Sequence, residues 1–189
     1  MEINEIVNWL KEGNNRFISG TLEKKIKNST LRELLAGGQS PFAIILGCAD
    51  SRVVPEIVFD TDLGELFTVR VAGNVANIAS LASIEYAVAI LKVKVILVQG
   101  HSSCGAVSAA IEGGDMGYNL NMLFTHITPA IEQSPGGNID EVVKKNAIIN
   151  AEELVNRSPM IAEAVKNGQV KIFPTFYHLE SGEVEFLTD

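Results

Sequence analysis

A chain of 189 residues that is 47% hydrophobic and 20% charged has the material for one globular domain with a real core. Its net charge of -8 argues against binding nucleic acid or an anionic membrane surface. Mean hydropathy of +0.20 fits a buried parallel sheet or apolar surface covered between subunits. The longest weakly charged segment, residues 71–91, carries Glu85 among small residues and does not read as a membrane span. Residues 1–5 lack the basic and apolar regions of a signal peptide. With only two cysteines, the expectation is a reducing compartment, the cytoplasm, where both thiols are available for metal or catalysis.

In chain order, Ile3, Ile6, Val7 and Leu10 recur at helical spacing, with Trp9 and Phe17 widening the stripe, so an amphipathic helix is predicted up to Gly20. Residues 21–28 are polar and lysine-rich and read as a surface loop. Ser29 and Thr30 cap a short helix that Gly37-Gly38 closes. Residues 42–46 form a continuous apolar run after Pro41, the pattern of a buried strand in a parallel sheet. A helical turn over 53–58, a strand over 66–71 and a helix over 78–91 follow. A second buried strand is predicted over 93–98, then a helix up to Glu112. Residues 119–133 read as helical with a break near Pro129, residues 139–157 and 159–166 as helices, and 170–179 as a last strand. Pro174 places that strand toward an edge, and residues 183–187 can return as a hairpin arm. The whole, 1–189, reads as a single α/β domain with a mainly parallel central sheet flanked by helices: a helical arm over 1–38 and a core over 39–189.

Both buried strands end in residues that carry chemistry. The first runs into Gly47-Cys48-Ala49-Asp50-Ser51-Arg52, the second into Gly100-His101-Ser102-Ser103-Cys104-Gly105. Ligands of open α/β sheets bind outside the carboxyl ends of the strands, so Cys48, His101 and Cys104 converge if the two strands are neighbours. Two thiols and an imidazole suit zinc with one open position, and Cys104 beside a helix amino terminus favours the thiolate. Asp50 and Arg52 can face the same site as a charge-assisted pair that aims the carboxylate at a bound water. A Cys48/His101 nucleophile pair is a second reading, which leaves Cys104 and the Asp50–Arg52 pair unused. Burial of both cysteines as small hydrophobes is a third. A serine elbow lacks its last glycine and a phosphate loop its Lys-Ser/Thr. His126 and His178 have no sequence partners and read as structural or surface; Met116, Met122 and Met160 read as packing residues.

At these residues the chain resembles the β-class carbonic anhydrases. The matches are Cys48 to Val53, Gly64-Glu65-Leu66-Phe67, Arg70, Gly73-Asn74, Ile84 to Ala87 and Gly100 to Gly105. Lys11 to Asn14 with Arg16-Phe17 are similar to the family's amino-terminal helix. The resemblance implies one zinc per chain, held by Cys48, His101 and Cys104. It implies reversible hydration of carbon dioxide to bicarbonate and a proton, by a zinc-bound hydroxide that the Asp50–Arg52 pair orients. Gln39, Phe67, Tyr86 and the backbone near Gly105 are then the substrate-binding residues, and the first three can serve a neighbouring subunit's metal. Ile45 stands where closing members carry tryptophan, which implies the open-site, plant-like subtype and no regulatory bicarbonate site at Arg70 and Tyr86. Val71 replaces a usual Asn and removes a polar partner. The resemblance also implies a homodimer or higher homo-oligomer, with the amino-terminal helix packing on a partner. Two further readings use the same residues: a carbonyl sulfide or carbon disulfide hydrolase, and a non-catalytic zinc or bicarbonate sensor.

Overall fold

The computed structural model describes residues 1–23 and 29–187; most of the lysine-rich loop expected over 21–28 lies outside the described residues. The first helix, α1 (Ile3–Ser19), ends where Gly20 takes φ 71°, a conformation that glycine adopts without strain. It buries Ile6, Val7 and Leu10 against its own chain's sheet, in a cluster with Ile45, Phe59, Leu97 and Phe173. Each fully buried Ile or Leu of this kind stabilises by about 1.5–3 kcal/mol. The stripe read as a partner-facing surface is thus occupied within the chain. The motif around Gly13 has a local cause: a Cβ there would lie 2.0 Å from the Phe59 carbonyl oxygen, so only glycine allows the approach. Beside it, buried Asn14 donates to the carbonyls of Val58 and Gly182 and accepts from the Val184 N–H.

The remaining elements are α2 (Ser29–Leu35), β1 (Ala43–Gly47), α3 (Pro55–Val58), β2 (Leu66–Arg70), a 3-10 turn at Ala72–Asn74, α4 (Ile78–Ala89), β3 (Val95–His101), α5 (Gly105–Glu112), α6 (Tyr118–Phe124), α7 (Thr128–Glu132), α8 (Ile139–Arg157), α9 (Pro159–Lys166), β4 (Lys171–Tyr177) and β5 (Val184–Phe186). Among the described residues the strands form one sheet in the order β2-β1-β3-β4-β5, parallel except for β5. The chain leaves β1 toward one edge and β3 toward the other, so β1 and β3 flank the switch point where such sheets bind ligands. One face, through Ile44, Leu46, Ile96 and Val98, packs on Leu81, Ile84, Leu154 and Ile161 of α4, α8 and α9. The other packs on α1. Among the described residues no helix is long and apolar enough to cross a membrane.

Three expectations shift. The second buried strand runs on to His101 because β4 pairs with it as far as Tyr177. Pro174 does not mark an edge strand, since β4 lies between β3 and β5. It is tolerated because β5 ends opposite Thr175, just short of it. The helical stretch over 119–133 divides into α6 and α7 at residues 125–127, ahead of Pro129.

Candidate metal centre

Gly47 lies opposite Gln99 in the β1–β3 register. Cys48 therefore leaves the sheet beside the end of β3, where His101 is the last residue. Cys104 follows after two residues and caps α5. The packing of α8 makes this possible at Gly100, where a Cβ would meet Val143 at 2.6 Å. The two Sγ atoms are 4.0 Å apart. A ligand atom from each of Cys48, His101 and Cys104 lies within 4.8 Å of the other two, and all three residues are buried. His101 Nδ1 is 3.0 Å from the Ser102 carbonyl, the arrangement in which Nδ1 carries the proton and Nε2 is left basic. That Nε2 is buried and makes no hydrogen bond among the described residues. An unpaired imidazole nitrogen beside two thiols is costly as a structural feature and fits a zinc-type ion with an open fourth position.

The thiols divide their proton unequally in the absence of metal. The hydrogen bond shared with Cys104 brings the Cys48 thiol down to about 4 against the effect of burial; His101 and the Gly73 and Asp50 backbone assist. The same bond pushes Cys104 up, helped by burial and the Cys48 charge, while the Val107 and Ala106 amides of α5 pull the other way. The expected effect of the helix end on Cys104 is present but outweighed.

Asp50 is clamped. Arg52 gives its backbone N–H and Nε to Oδ1, each at 2.9 Å, and Nη2 to Oδ2 at 2.8 Å. The Arg52 side chain holds the carboxyl well below the usual carboxylate range, despite partial burial. Its Oδ2 is 3.9 Å from His101 Nε2. The pair thus stands at the edge of the cluster as a fixed, acceptor-only carboxylate.

A sequence profile of the carbonic anhydrase family matches residues 43–184. The chain belongs to the carbonic anhydrase family. It is 39% identical to carbonic anhydrase 2 of Mycobacterium tuberculosis over 95% of this chain and 91% of that protein. It is equally 39% identical to a carbonic anhydrase of Mycolicibacterium smegmatis, over 96% and 93%. A solved tetrameric β-carbonic anhydrase of Sordaria macrospora matches with a TM-score of 0.78 at 25% identity, covering 98% of both chains. The Coccomyxa β-carbonic anhydrase, solved with acetazolamide, matches at 0.75 and 27%, covering 94% of this chain and 84% of that one. The class is the β class.

Not every residue matched to this carbonic anhydrase family's site lies near the cluster. Gly105 does, as the first residue of α5. Gln39 is exposed and precedes β1, at the opposite end of the strand from Cys48. Phe67 stands opposite Ile44 on β2, and its ring centroid is 6.3 Å from that of Tyr86 on α4, which is 45% exposed. Within one chain Gln39 and Phe67 thus stand toward the amino-terminal end of β1, away from Cys48. Val71 causes no visible loss: its side chain packs against the apolar clusters on both sides and its N–H donates to the Gly47 carbonyl.

Several residues that sequence reasoning missed hold the site. Arg70 donates from Nε to the Cys48 carbonyl at 2.9 Å and from Nη2 to the Asp50 carbonyl at 2.6 Å, fixing the turn that carries both. From α8, Asn146 donates to the Gly73 carbonyl, and Asn150 accepts from the Ala76 N–H. Gly73, at φ 71°, gives its own N–H to Cys48 Sγ at 3.4 Å. The available signal was two asparagines four apart among the buried Val142, Val143, Ala147 and Leu154 of a helix. Also on α8, Asp140 Oδ1 accepts the Ser103 N–H at 3.0 Å. His178 does have a partner, Glu185, at 3.1 Å, and His126 is half-buried, which lowers its pKa. Met116, Met122 and Met160 are corrected: all three are exposed rather than packed.

Proposed function

We propose that this chain is a zinc enzyme that hydrates carbon dioxide reversibly to bicarbonate and a proton. The observation that carries this reading is the buried Cys48–His101–Cys104 cluster, with an unpartnered Nε2 and the clamped Asp50 beside it. Cys48, His101 and Cys104 hold one zinc per chain. Bound there, zinc supplies Lewis-acid activation of water at neutral pH. Asp50 accepts the hydrogen bond of the attacking water and so orients it. Arg52, bonded to both carboxylate oxygens, holds Asp50 ionised at neutral pH and would compete with a bound metal for it, which supports the open-site reading. Val75, Val107, Ile127 and Phe176, all fully buried, keep bulk water from the buried side of the cluster. The Gly105 N–H at the start of α5 faces the charge that grows on the substrate oxygens, since the Ala106 and Val107 amides are turned to Cys104.

Gln39, Phe67 and Tyr86 complete the substrate wall from a second copy of the chain, so the working unit is a homodimer or larger homo-oligomer. The half-exposed Phe67–Tyr86 pair and the exposed Ile78 and Ile90 of α4 support this, because a second copy would cover them. In that unit the exposed part of α1 packs on the partner. The two free cysteines suit a reducing compartment, and we assign the cytoplasm.

The test is stopped-flow carbon dioxide hydration on zinc-replete protein, with metal content measured on the same sample. About one zinc per chain with fast turnover at neutral pH supports the reading. Full zinc with turnover of carbonyl sulfide alone transfers the site to sulfur substrates, and full zinc with neither leaves a binding role.

A further inference from the structure

The turn between His101 and Cys104 holds an unfavourable residue. Ser103 stands at φ 54°, the left-handed region that a side chain with Cβ disfavours. Both polar groups of its backbone are engaged by side chains from elsewhere. Its N–H donates to Asp140 Oδ1 at 3.0 Å, and its carbonyl accepts Arg52 Nη2 at 3.4 Å. That same Nη2 holds Asp50 Oδ2 at 2.8 Å. Asp140 sits in the first turn of α8, where Asn138 caps the helix and exchanges hydrogen bonds with Glu141, so its backbone is well fixed. Arg52 is the opposite case. Its side chain is 53% exposed, so packing does little to orient it and its hydrogen bonds must.

We propose that Asp140 is a positioning residue for the Asp50–Arg52 pair, acting through the backbone conformation of Ser103. Its carboxylate holds Ser103 in the left-handed conformation, which sets the reach from His101 to Cys104 and presents the Ser103 carbonyl to Arg52. The amide whose N–H bonds Asp140 ends in the Ser102 carbonyl, 3.0 Å from His101 Nδ1, so the same carboxylate also makes that carbonyl a better acceptor for the imidazole, because hydrogen bonds in series polarise one another. Asp140 touches neither the cluster nor the substrate. An acid in the first turn of a helix also stabilises the helix by charge alone, and the test must separate the two roles. The inference rests on the metal-centre reading above.

The experiment compares the full-length wild type with Asp140→Ala, Asp140→Asn, and Asp140→Ala combined with Ser103→Gly. Each is measured for zinc affinity by chelator competition, for the visible spectrum of the cobalt-substituted form, and for carbon dioxide hydration. Asp140→Ala is expected to lose about ten- to a hundredfold in kcat/KM and in zinc affinity, with a changed cobalt spectrum. Asp140→Asn keeps an amide oxygen in place of Oδ1 and is expected to stay near wild type on all three. Ser103→Gly removes the steric penalty and is expected to recover zinc affinity and the cobalt spectrum in the Asp140→Ala background. Wild-type behaviour of Asp140→Ala, equal damage from Asn and Ala, or no recovery with glycine overturns the role of Asp140. If the wild type itself neither binds zinc nor turns over, the metal-centre reading fails and takes this one with it. A wild type that does both, with Asp140→Ala silent, removes Asp140 alone.

Discussion

Cys48, His101 and Cys104 are buried at the carboxyl ends of β1 and β3, and the turns that carry them are tied down within the chain: Arg52 to Asp50, Arg70 to the turn carbonyls, Asp140 to Ser103. The flank that carries Phe67 and Tyr86 is different. Those rings touch each other, Tyr86 is half-exposed, and Ile78 beyond them is 80% exposed. One region is finished within a single chain and the other is left open. The contrast teaches where each part of the activity should reside: metal binding in the monomer, substrate selection in the assembly.

The severest way to break this contrast is to remove a ligand. Cys104→Ser leaves a hydroxyl where zinc wants a thiolate. Bound zinc should fall from about one per chain to a small fraction, and hydration to the uncatalysed background, as read by metal analysis and stopped-flow on one sample. Retained zinc would remove Cys104 as a ligand. Asp50→Asn should come next. It keeps the shape of the side chain but cannot form the carboxylate pair with Arg52. A loss of about 10²–10⁴-fold in kcat/KM is expected, the usual share of a group that handles a proton at the reacting centre, with zinc retained. Near-normal turnover would sink the proposed role.

Much of the finished region was legible in the sequence. Two buried runs, each ending in a cysteine or histidine turn, suffice to bring Cys48, His101 and Cys104 together once the strands are neighbours, and the register aligns Gly47 with Gln99. Asp50 and Arg52 lie two residues apart, so their pairing is local. What was not legible comes from far along the chain or from backbone direction. Arg70 acts on carbonyl oxygens, which carry no sequence signature, so it stood among the family matches without a contact of its own. Asn146, Asn150 and Asp140 arrive on α8, across the sheet. The exposure of Met122 and Met160 depends on what α6 and α9 face, and that of Met116 on the segment ahead of α6, which hydropathy alone does not reveal.

The open flank can be tested by mixing. A chain with Asp50→Asn has an intact wall and a dead metal site; a chain with Gln39→Ala and Phe67→Ala has the reverse. Alone, the wall variant should keep its zinc and lose about tenfold in kcat/KM, the scale of lost contacts to a small substrate. If the wall serves the neighbour's metal, unfolding and refolding the two together restores one intact site in each mixed dimer. Random pairing then gives about a quarter of wild-type activity. Activity that stays at the sum of the two parents would place the wall and the metal in the same subunit.

The smallest expected effect lies outside both regions, and it checks that the metal rim is self-contained. Glu185 on β5 accepts Lys144 Nζ at 2.6 Å and His178 Nε2 at 3.1 Å. Lys144 first, with His178 assisting against partial burial, lowers its pKa. The folded state therefore binds this proton less readily than the unfolded chain, whose glutamate titrates near about 4.3. Its contribution to stability is present above that value and is lost as pH falls through the depressed folded-state pKa. The pair is more than a third exposed, so solvent screens it and the contribution is small. Glu185→Gln should be slightly less stable than wild type to urea at pH 7, with the gap closing below about pH 4. Zinc content and turnover at pH 7 should not change, because Glu185 touches no residue of the cluster or its clamps. A Glu185→Gln variant that lost zinc would mean that the hairpin arm supports the metal rim after all, and that the rim is not finished by the contacts of β1, β3 and α8 alone.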